Sequence, residues 1–331
     1  MKDLKIRNFN YKDMDEFIRI SKLSFARELI AKGLTPEDFE CETRRIFRMH
    51  MIPYRLLTAL MGIKWEGFVA EIEGKVVGGG MYIGRNNRMS VTNLMVDPDY
   101  RRQGVGKALL ARRLERMVER GFPFAMAQVL DSNSASLQNL KGQGFEVFNQ
   151  YSVYEQTLPF PKIYGPSKPI SFRDISPSDR ALFKEIEEKT TSRYVLSIKG
   201  SADTQYFLSE WQRFYARFTR YSRWIKAVEA SEETIGFLCA GFQDRQLKGL
   251  LIQPIVKDDY LDLVPAMVYE AGTWLEQAGR RSIIVEISRQ WTKISDYLLE
   301  NGWEKQYTWL EFINWLNIQA RRETLERYTL Q

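Results

Sequence analysis

The chain has 331 residues and a formal net charge of +6 at pH 7, with 44% hydrophobic and 27% charged residues. This composition is ordinary for a globular protein, and the length favours two domains of about 150 residues each. No run of about 18 apolar residues occurs, so we expect no transmembrane helix. Residues 1–7 lack the apolar core of a signal peptide, which favours a cytoplasmic location. One histidine and two distant cysteines argue against a zinc site, so no metal is expected.

Apolar patterns in the first quarter of the chain predict alternating strands and helices. Residues 4–7 alternate and predict an edge strand, whereas residues 14–29 carry apolar side chains at helical spacing. Residues 35–51 begin with Thr-Pro followed by acids, which is typical of a helix start. Residues 68–72 and 76–83 predict a hairpin, because a Glu-Gly turn separates two apolar runs.

Residues 91–110 combine a short apolar strand, a turn and a helix that begins around Gly104 and Gly106. Glycines at such a junction leave the backbone N–H groups of the helix N-terminus uncovered, where the helix dipole is positive. A phosphate is the natural ligand of this geometry. The spacing fits neither the dinucleotide fingerprint nor the P-loop. The cations that flank the turn are Arg101, Arg102 and Lys107.

The pattern Arg101-x-x-Gly104-x-Gly106 after a strand resembles the acyl-CoA signature of the GNAT acetyltransferase superfamily. The resemblance implies an α/β (α+β) fold, with a mixed, mostly antiparallel twisted sheet flanked by helices. It also implies acetyl-CoA as the acyl donor and a strand, residues 93–96, that splays from its neighbour. The cofactor-binding residues that it implies are Leu94, Met95, Val96, Arg101, Arg102, Gln103, Gly104, Val105, Gly106, Lys107 and Asn133.

Beyond the motif, residues 105–120 predict a helix that ends at Gly121. Residues 124–130 predict a buried strand, and residues 137–141 predict a short helix. Residues 151–158 predict the last strand of this half.

A second match to the GNAT pattern is Asn133, which precedes the pair Gly144-Phe145 and in the family opens a helix beside the cofactor. A tyrosine seven residues after this Asn often serves as general acid in the family. Leu140 stands there, and leucine has no proton to give, so this role is not carried over. Weak candidates for a general base near the implied cleft are Glu71, Asp131, Tyr82 and Tyr154, each of which is more often structural than catalytic.

Prolines and glycines cluster at residues 161–170 and predict a linker. After it the chain repeats short matches to the first half in the same order, so we expect two tandem GNAT-like domains. The predicted division is a catalytic domain with the acyl-CoA site at 1–160 and a degenerate domain at 171–331.

The second copy lacks the chemistry of the first. It has Leu261-Asp262-Leu263 in place of the arginines and glycine of the motif, and Asp262 would repel a phosphate. Pro265 offers no N–H to an anion. Trp291 stands at the position of Asn133. We therefore expect a single acyl-CoA site per chain.

Residues 205–225 carry aromatic side chains near helical spacing, with arginines between them. They predict an amphipathic helix with an aromatic stripe facing the core. A wall of the substrate site or a nucleic-acid surface are alternatives, although no nucleic-acid fold signature accompanies the pattern.

The leading functional prediction is an acyl-CoA-dependent N-acetyltransferase that moves an acetyl group to a primary amine of a small molecule or peptide, directly in a ternary complex. The alternative is a non-catalytic acyl-CoA-binding sensor or scaffold, motivated by Leu140 and by the absence of an acid in residues 91–96. A nucleic-acid-associated protein is a third reading, suggested by the sequence pI of about 9.1, but a nucleic-acid partner is not expected. No membrane partner is expected either.

Overall fold

A computed structural model describes residues 3–25, 35, 37, 40, 41, 44, 62–160, 169–218, 220–244, 246–289 and 291–329. The chain forms two compact units, one made of Met1–Phe148 with Leu310–Gln331 and the other of Asn149–Trp309. Most of the predicted helix at 35–51 and of the predicted linker lies outside the described residues. No helix in the described ranges is long and apolar enough to cross a membrane.

Both halves of the chain contain strands and helices. The strands are β1 (Lys5–Asn8), β2 (Ile63–Ile72), β3 (Lys75–Arg85), β4 (Arg88–Val96), β5 (Phe124–Leu130), β6 (Glu146–Thr157), β7 (Ile170–Asp174), β8 (Tyr221–Ala230), β9 (Glu233–Gln243), β10 (Lys248–Leu251), β11 (Ile255–Val256), β12 (Ser282–Ser288) and β13 (Glu304–Trp315). The helices are α1 (Met14–Ser24), α2 (Val105–Glu119), α3 (Ser134–Lys141), α4 (Arg180–Thr190), α5 (Arg193–Lys199), α6 (Asp203–Tyr206), α7 (Glu210–Phe218), α8 (Val264–Gln277), α9 (Thr292–Glu300) and α10 (Ile318–Thr329).

The first unit is a mostly antiparallel sheet in the order β1-β2-β3-β4-β5-β13. Strands β1 to β4 pair antiparallel, and β4 pairs parallel with β5. A parallel pair needs a crossover connection, which α2 provides. The helix α2 buries Val105, Leu109 and Leu110 in a core cluster that also contains Phe68 of β2 and Phe312 of β13.

The opposite side of the same sheet is covered by α1. Phe17 and Ile20 of this helix form a second core cluster with Val69 and Met95. Met95 is thus a core residue, and its sulfur lies 2.9 Å from Oγ of Ser21. The sheet therefore carries a helix on each face, which is the layered arrangement expected for an α/β protein.

The second unit repeats this topology. Strands β7, β8 and β9 pair antiparallel, β10 pairs antiparallel with β9, and β12 pairs parallel with β10. The short strand β11 also pairs with β9. The helix α8 connects the two parallel strands, as α2 does in the first unit. The prediction of two tandem domains with mixed, mostly antiparallel sheets flanked by helices is confirmed.

An ion-pair cluster at the start of each unit supports the internal repeat. In the first unit Arg7 lies 2.7 Å from a carboxylate oxygen of Asp13 and 2.8 Å from Glu71. The Asp13 carboxylate also accepts from the backbone N–H of Asn10. The second unit has the same arrangement in Arg173, Asp179, Glu229 and Ser176. Four roles preserved in order are a structural signature of duplication.

The compact units differ from the predicted division at their last strands. Residues 151–157 of β6 pair with residues 282–288 of β12, which places them in the second unit. Residues 310–315 of β13 belong to the first unit, where Phe312 is fully buried. Each unit thus takes its last strand from the other half of the chain, a feature that local sequence patterns do not encode.

The prediction of one helix over residues 205–225 is wrong. The helices α6 and α7 end at Tyr206 and Phe218, and Arg220 follows with a φ of +54°. The strand β8 begins at Tyr221 and pairs with β9 along its whole length. The helical spacing holds over α7, whereas the next aromatic residues, Tyr221 and Trp224, lie on β8. The pairing of β8 with β9 excludes a continuous helix.

Candidate functional site

The strands β4 and β5 separate at the middle of the first unit's sheet. They pair only at Met89 with Ala125 and at Ser90 with Met126. Beyond these pairs β4 continues to Val96 and β5 to Leu130 without pairing with each other. The two strands therefore border a V-shaped opening, as the resemblance implied for residues 93–96.

The backbone of β4 presents alternate groups to this opening. The N–H of Asp97 donates to the carbonyl of Val77 in β3 at 2.9 Å. Because successive residues of a strand direct their polar groups to opposite sides, those of Leu94 and Val96 face away from β3. The carbonyl of Val96 accepts from Nε of Arg101 at 3.2 Å, in agreement with this orientation.

A bulge in β4 marks the same region. Gly79 pairs with Met95, and Met81 pairs with Thr92, so β4 has one more residue than β3 between these pairs. The extra residue is accommodated at Asn93, whose φ is +51°. A bulge bends the strand and interrupts the ladder of hydrogen bonds.

The turn before α2 is open and basic. Arg102 has a φ of +63°, and Gly104, the N-cap of α2, has a φ of +80°. The side chains of Arg101, Arg102 and Gln103 are exposed, and Nε2 of Gln103 donates to the carbonyl of Asp99. Among the described residues, none accepts a hydrogen bond from the backbone N–H groups of residues 102–107. These donors lie where the helix dipole attracts an anion.

The helix α3 supports the first turn of α2. The carbonyl of Gly106 accepts from Nδ2 of Asn139 at 3.2 Å, and the carbonyl of Lys107 accepts from Nε2 of Gln143 at 3.0 Å. Asn133 caps α3 by accepting from the N–H of Ser136. Sequence reasoning named Asn133 but missed the amides of Asn139 and Gln143, because nothing in their spacing distinguishes them from surface residues.

Two of the four candidate bases are engaged in structural contacts. Glu71 forms the ion pair with Arg7 described above. The hydroxyl of Tyr82 donates to Glu66 at 2.7 Å, and burial together with this hydrogen bond raises the pKa of Tyr82. Arg116 also contacts the Glu66 carboxylate, at 3.2 Å. A buried phenol that holds its proton this tightly is a poor base.

The other two candidates lie in different places. Asp131 directly follows β5 beside the V-shaped opening, and its side chain is exposed. Tyr154 lies on β6 and is buried in the core cluster of the second unit. Leu140 is buried in the core of the first unit, so no proton donor occupies this position.

In the second unit, the turn equivalent to the open basic turn before α2 is closed. Its 3-10 turn, Asp258–Leu263, runs directly into α8, and Leu263 is fully buried. Residues 258–265 are all described, and none of them has a positive φ. Where β10 and β12 part, the side chain of Gln253 accepts from the N–H of Ser288 at 2.8 Å. The described part of this unit therefore offers no open basic turn.

The described residues offer no set of side chains that could ligate a metal ion. In the ranges that the structure describes, no group of three or more His, Cys, Asp or Glu side chains could hold a metal ion. Of the two cysteines, Cys41 is exposed and Cys239 is buried.

Part of the chain is similar in sequence to known acetyltransferases. Residues 37–145 match the family model described as "Acetyltransferase (GNAT) family". An Escherichia coli [ribosomal protein bS18]-alanine N-acetyltransferase is 28% identical over 100 residues, which cover 30% of this chain and 68% of that protein. An acetyltransferase from Photorhabdus laumondii is 34% identical over 85 residues, or 26% of this chain and 59% of that protein.

Solved structures match nearly the whole chain. A GCN5-related N-acetyltransferase from Sphaerobacter thermophilus has a TM-score of 0.67 and 16% identity, covering 96% of this chain and 97% of its own. A tandem GNAT protein from the clavulanic acid biosynthesis pathway has a TM-score of 0.61 and 14% identity, covering 95% and 99%. At such identities the likeness shows the fold, which here includes the tandem arrangement.

Proposed function

We propose that this chain is a GNAT-type N-acetyltransferase that uses acetyl-CoA to acetylate a primary amine of a small molecule or peptide. The observation that carries the proposal is the open turn at Arg102 and Gly104, where the unbonded N–H groups of residues 102–107 meet the V-shaped opening. This is a cradle for a phosphate group beside a slot for an extended chain.

The residues around the open turn fit two parts of acetyl-CoA, the pyrophosphate and the pantetheine arm. The N–H groups of residues 102–107 and the side chains of Arg101, Arg102 and Lys107 would hold the pyrophosphate. The exposed backbone groups of Leu94 and Val96 would bind the pantetheine arm. Gln103, Val105 and Gly106 shape the turn, Met95 fixes β4 from the core, and Asn133 caps the neighbouring helix.

When bound, acetyl-CoA supplies the acetyl group: the amine nitrogen forms a C–N bond, the C–S bond breaks, and a proton lost by the amine is matched by one gained by the thiolate. The contribution of the chain would be to hold both reactants together and to present backbone donors to the carbonyl oxygen. Asp131 is the candidate base that stands free at the opening.

We assign the acyl-CoA site to the first unit, Met1–Phe148 with Leu310–Gln331, and we assign the second unit, Asn149–Trp309, to the degenerate copy. The closed turn of the second unit supports a single site per chain. The relative named for acetylating an alanine of ribosomal protein bS18 adds N-terminal peptides to the acceptor classes worth testing.

Two measurements test the proposal. Calorimetric titration with acetyl-CoA should show saturable binding at one site per chain. A thiol-release screen over polyamines, aminoglycosides, amino acids and N-terminal peptides should then find at least one acceptor that depends on the bound donor. Absence of saturable binding would refute the proposal.

A non-catalytic acyl-CoA sensor is the second candidate. Leu140 stands where the family often has its acid, and Glu71 and Tyr82 are held in structural contacts. Saturable binding of acetyl-CoA without thiol release for any amine class would favour this alternative.

A further inference from the structure

The side chain of Arg113 is enclosed in the core of the first unit, with 1% of its surface exposed. It lies on α2, and its Nη1 donates to the carbonyl of Met81 at 3.1 Å and to the carbonyl of Thr92 at 3.0 Å. Its Nε donates to the carbonyl of Leu109, one turn earlier on the same helix. Within the described residues no carboxylate pairs with it, and its Nη2 has no hydrogen-bond partner. Burial therefore lowers the pKa of the Arg113 guanidinium.

The two strand carbonyls that accept from Arg113 flank the bulge of β4. Thr92 and Met81 form the last regular pair before the extra residue at Asn93. The guanidinium lies directly on Gly80, since a Cβ at that position would stand 2.9 Å from its Nη1. Gly80 thus makes the room, and Arg113 satisfies carbonyls at the point where the ladder is interrupted.

The second unit shows what the fold does without this pair. Gly78 and Gly236 are equivalent, because a Cβ at either would meet a carbonyl of the facing strand, at 2.9 and 2.7 Å. Two residues later, Leu238 therefore stands at the position of Gly80. The helices correspond through buried positions at one constant offset, among them 109, 110, 113 and 117 in α2 and 267, 268, 271 and 275 in α8.

By this correspondence Ala271 stands at the position of Arg113. Leu238 and Ala271 are fully buried and share one core cluster. The fold therefore tolerates an apolar pair in place of a buried guanidinium, which is costly to bury without a counter-charge. The polar pair occurs in the unit that has the open basic turn, and the apolar pair occurs in the unit that does not.

We propose that Arg113 is a positioning residue for acyl transfer. It holds the β4 bulge in the shape that directs the backbone groups of Leu94 and Val96 into the opening, and it adds a positive charge beneath the segment that would receive the thioester carbonyl. Such a fixed charge in a dry region stabilises negative charge that develops on a carbonyl oxygen. The inference rests on the proposed use of acetyl-CoA by this same site.

The test compares three variants of the full chain. Arg113→Met removes the charge at similar volume. The double variant Gly80→Leu with Arg113→Ala copies the apolar pair of the second unit, so that packing is kept. Arg112→Ala removes a neighbouring arginine that is partly exposed and ion-paired with Glu119, and it serves as the control.

The first readout needs no acceptor amine. Acetyl-CoA carrying ¹³C at the acetyl carbonyl is bound to each protein, and the carbonyl band is read by isotope-edited infrared difference spectroscopy. Polarisation by the site should lower the band frequency in the wild type and in Arg112→Ala. We expect most of this shift to be lost in Arg113→Met and in the double variant, while the dissociation constant for CoA and the melting temperature of the double variant stay near those of the wild type.

A second readout uses whichever amine the screen identifies. The loss should fall on kcat, by about 10- to 100-fold, with KM for acetyl-CoA unchanged, because the phosphate cradle is intact. An unaltered frequency of the carbonyl band in the double variant would overturn the proposed role of Arg113 and would leave the proposed function standing. Failure of the wild type to bind acetyl-CoA would instead refute the proposed function, and with it this inference.

Discussion

Gly104 is the residue at which backbone conformation and ligand chemistry meet most directly. Its φ of +80° is one that side chains with a Cβ rarely adopt, and it precedes the first N–H groups of α2. We predict that Arg102→Glu with Gly104→Glu abolishes measurable acetyl-CoA binding, because two carboxylates then face the pyrophosphate. Calorimetry on the purified protein measures the loss.

A matched glycine separates strain from charge in this experiment. Gly121, just beyond the other end of α2, has a φ of +72° and has open space around the position of a Cβ. Gly121→Glu should strain the backbone to a similar degree and leave acetyl-CoA affinity unchanged. Equal loss of binding in both proteins would mean that the effect comes from damage to the helix.

The structural role of Glu71 can be tested by comparison with Glu229, its counterpart in the second unit. Its ion pair with Arg7 is repeated by Glu229 with Arg173 in the unit that lacks the open turn. We predict that Glu71→Gln and Glu229→Gln each lower stability by a similar amount, about 1 kcal/mol or less because the pairs are partly exposed. Thermal unfolding measures this, and kcat should be unchanged in both. A fall of about 100-fold in kcat for Glu71→Gln alone would identify Glu71 as the general base.

At this scale the sequence singles out residues whose type and spacing are distinctive, and their assignment to an acyl-CoA site stays a prediction. Gly104 and the arginines before it stand out, since few strand–helix turns combine them. Arg113 does not stand out, because it is one of several arginines on a charged helix and only tertiary packing buries it. The hydrogen bond from Tyr82 to Glu66 could not be predicted from the sequence either, because the two residues are 16 positions apart.

At the scale of elements, the short 3-10 turns that follow β1 and β7 are each fastened by one aspartate. Hydrogen bonds from Arg173 chiefly lower the pKa of Asp179. For Asp13 burial acts in the opposite direction, but hydrogen bonds from Arg7 and from the N–H of Asn10 outweigh it and lower the pKa. Both groups therefore bind protons less readily in the folded state than in the unfolded chain, where the pKa is about 3.9.

Because the pKa values of both aspartates are lowered in the folded state, the stability that they contribute depends on pH. A lowered folded pKa contributes stability that is present above about pH 4 and is lost as the pH falls through the folded value. Asp13→Asn and Asp179→Asn should each reduce the melting temperature at pH 6, and the difference from wild type should shrink at pH 3. Asp131→Asn changes an exposed side chain, so this control should leave the melting temperature near that of the wild type. A deficit that stays constant with pH would contradict the ionic role of these aspartates.

The elements themselves were predictable where local pattern and tertiary structure agree. The strand predicted at residues 124–130 is β5, and the hairpin predicted around Gly74 is formed by β2 and β3. The helix predicted from residue 14 ends at Ser24 rather than at residue 29. The single helix predicted over residues 205–225 was wrong because residues 221–225 belong to β8, which forms a hairpin with β9, the next strand along the chain.

For the molecule as a whole, the unpredicted feature is that each compact unit is completed by the other half of the chain. Residues 310–315 of β13 bring Phe312 into the core of the first unit, beside Phe68 and Leu109. Tyr154 and Leu158 enter the core of the second unit. Chain connectivity is a long-range property, and the proline-rich boundary at 161–170 gave no sign that the strands before it belong elsewhere.

Division of the chain at its predicted linker therefore yields two incomplete pieces. We predict that residues 1–160, expressed alone, lack cooperative thermal unfolding and acetyl-CoA binding, because the edge of β5 and the core around Phe68 are left uncovered. Burial of the Phe312 side chain alone contributes about 1.5–3 kcal/mol. Residues 161–331 alone should fail in the same way, since Tyr154 and Leu158 are missing from their core.

Co-expression of the two pieces provides the decisive comparison. Both missing strands are then supplied in trans, so a one-to-one complex should form, unfold cooperatively and bind acetyl-CoA at one site. Size-exclusion chromatography with light scattering gives the stoichiometry, and calorimetry gives the affinity. The full-length protein, folded first and then cleaved at a protease site inserted within residues 161–168, should behave as this complex does. Independent folding of residues 1–160 with full acetyl-CoA affinity would instead mean that β13 is dispensable to the first unit, and that the acyl-CoA site requires no residue from the second half of the chain.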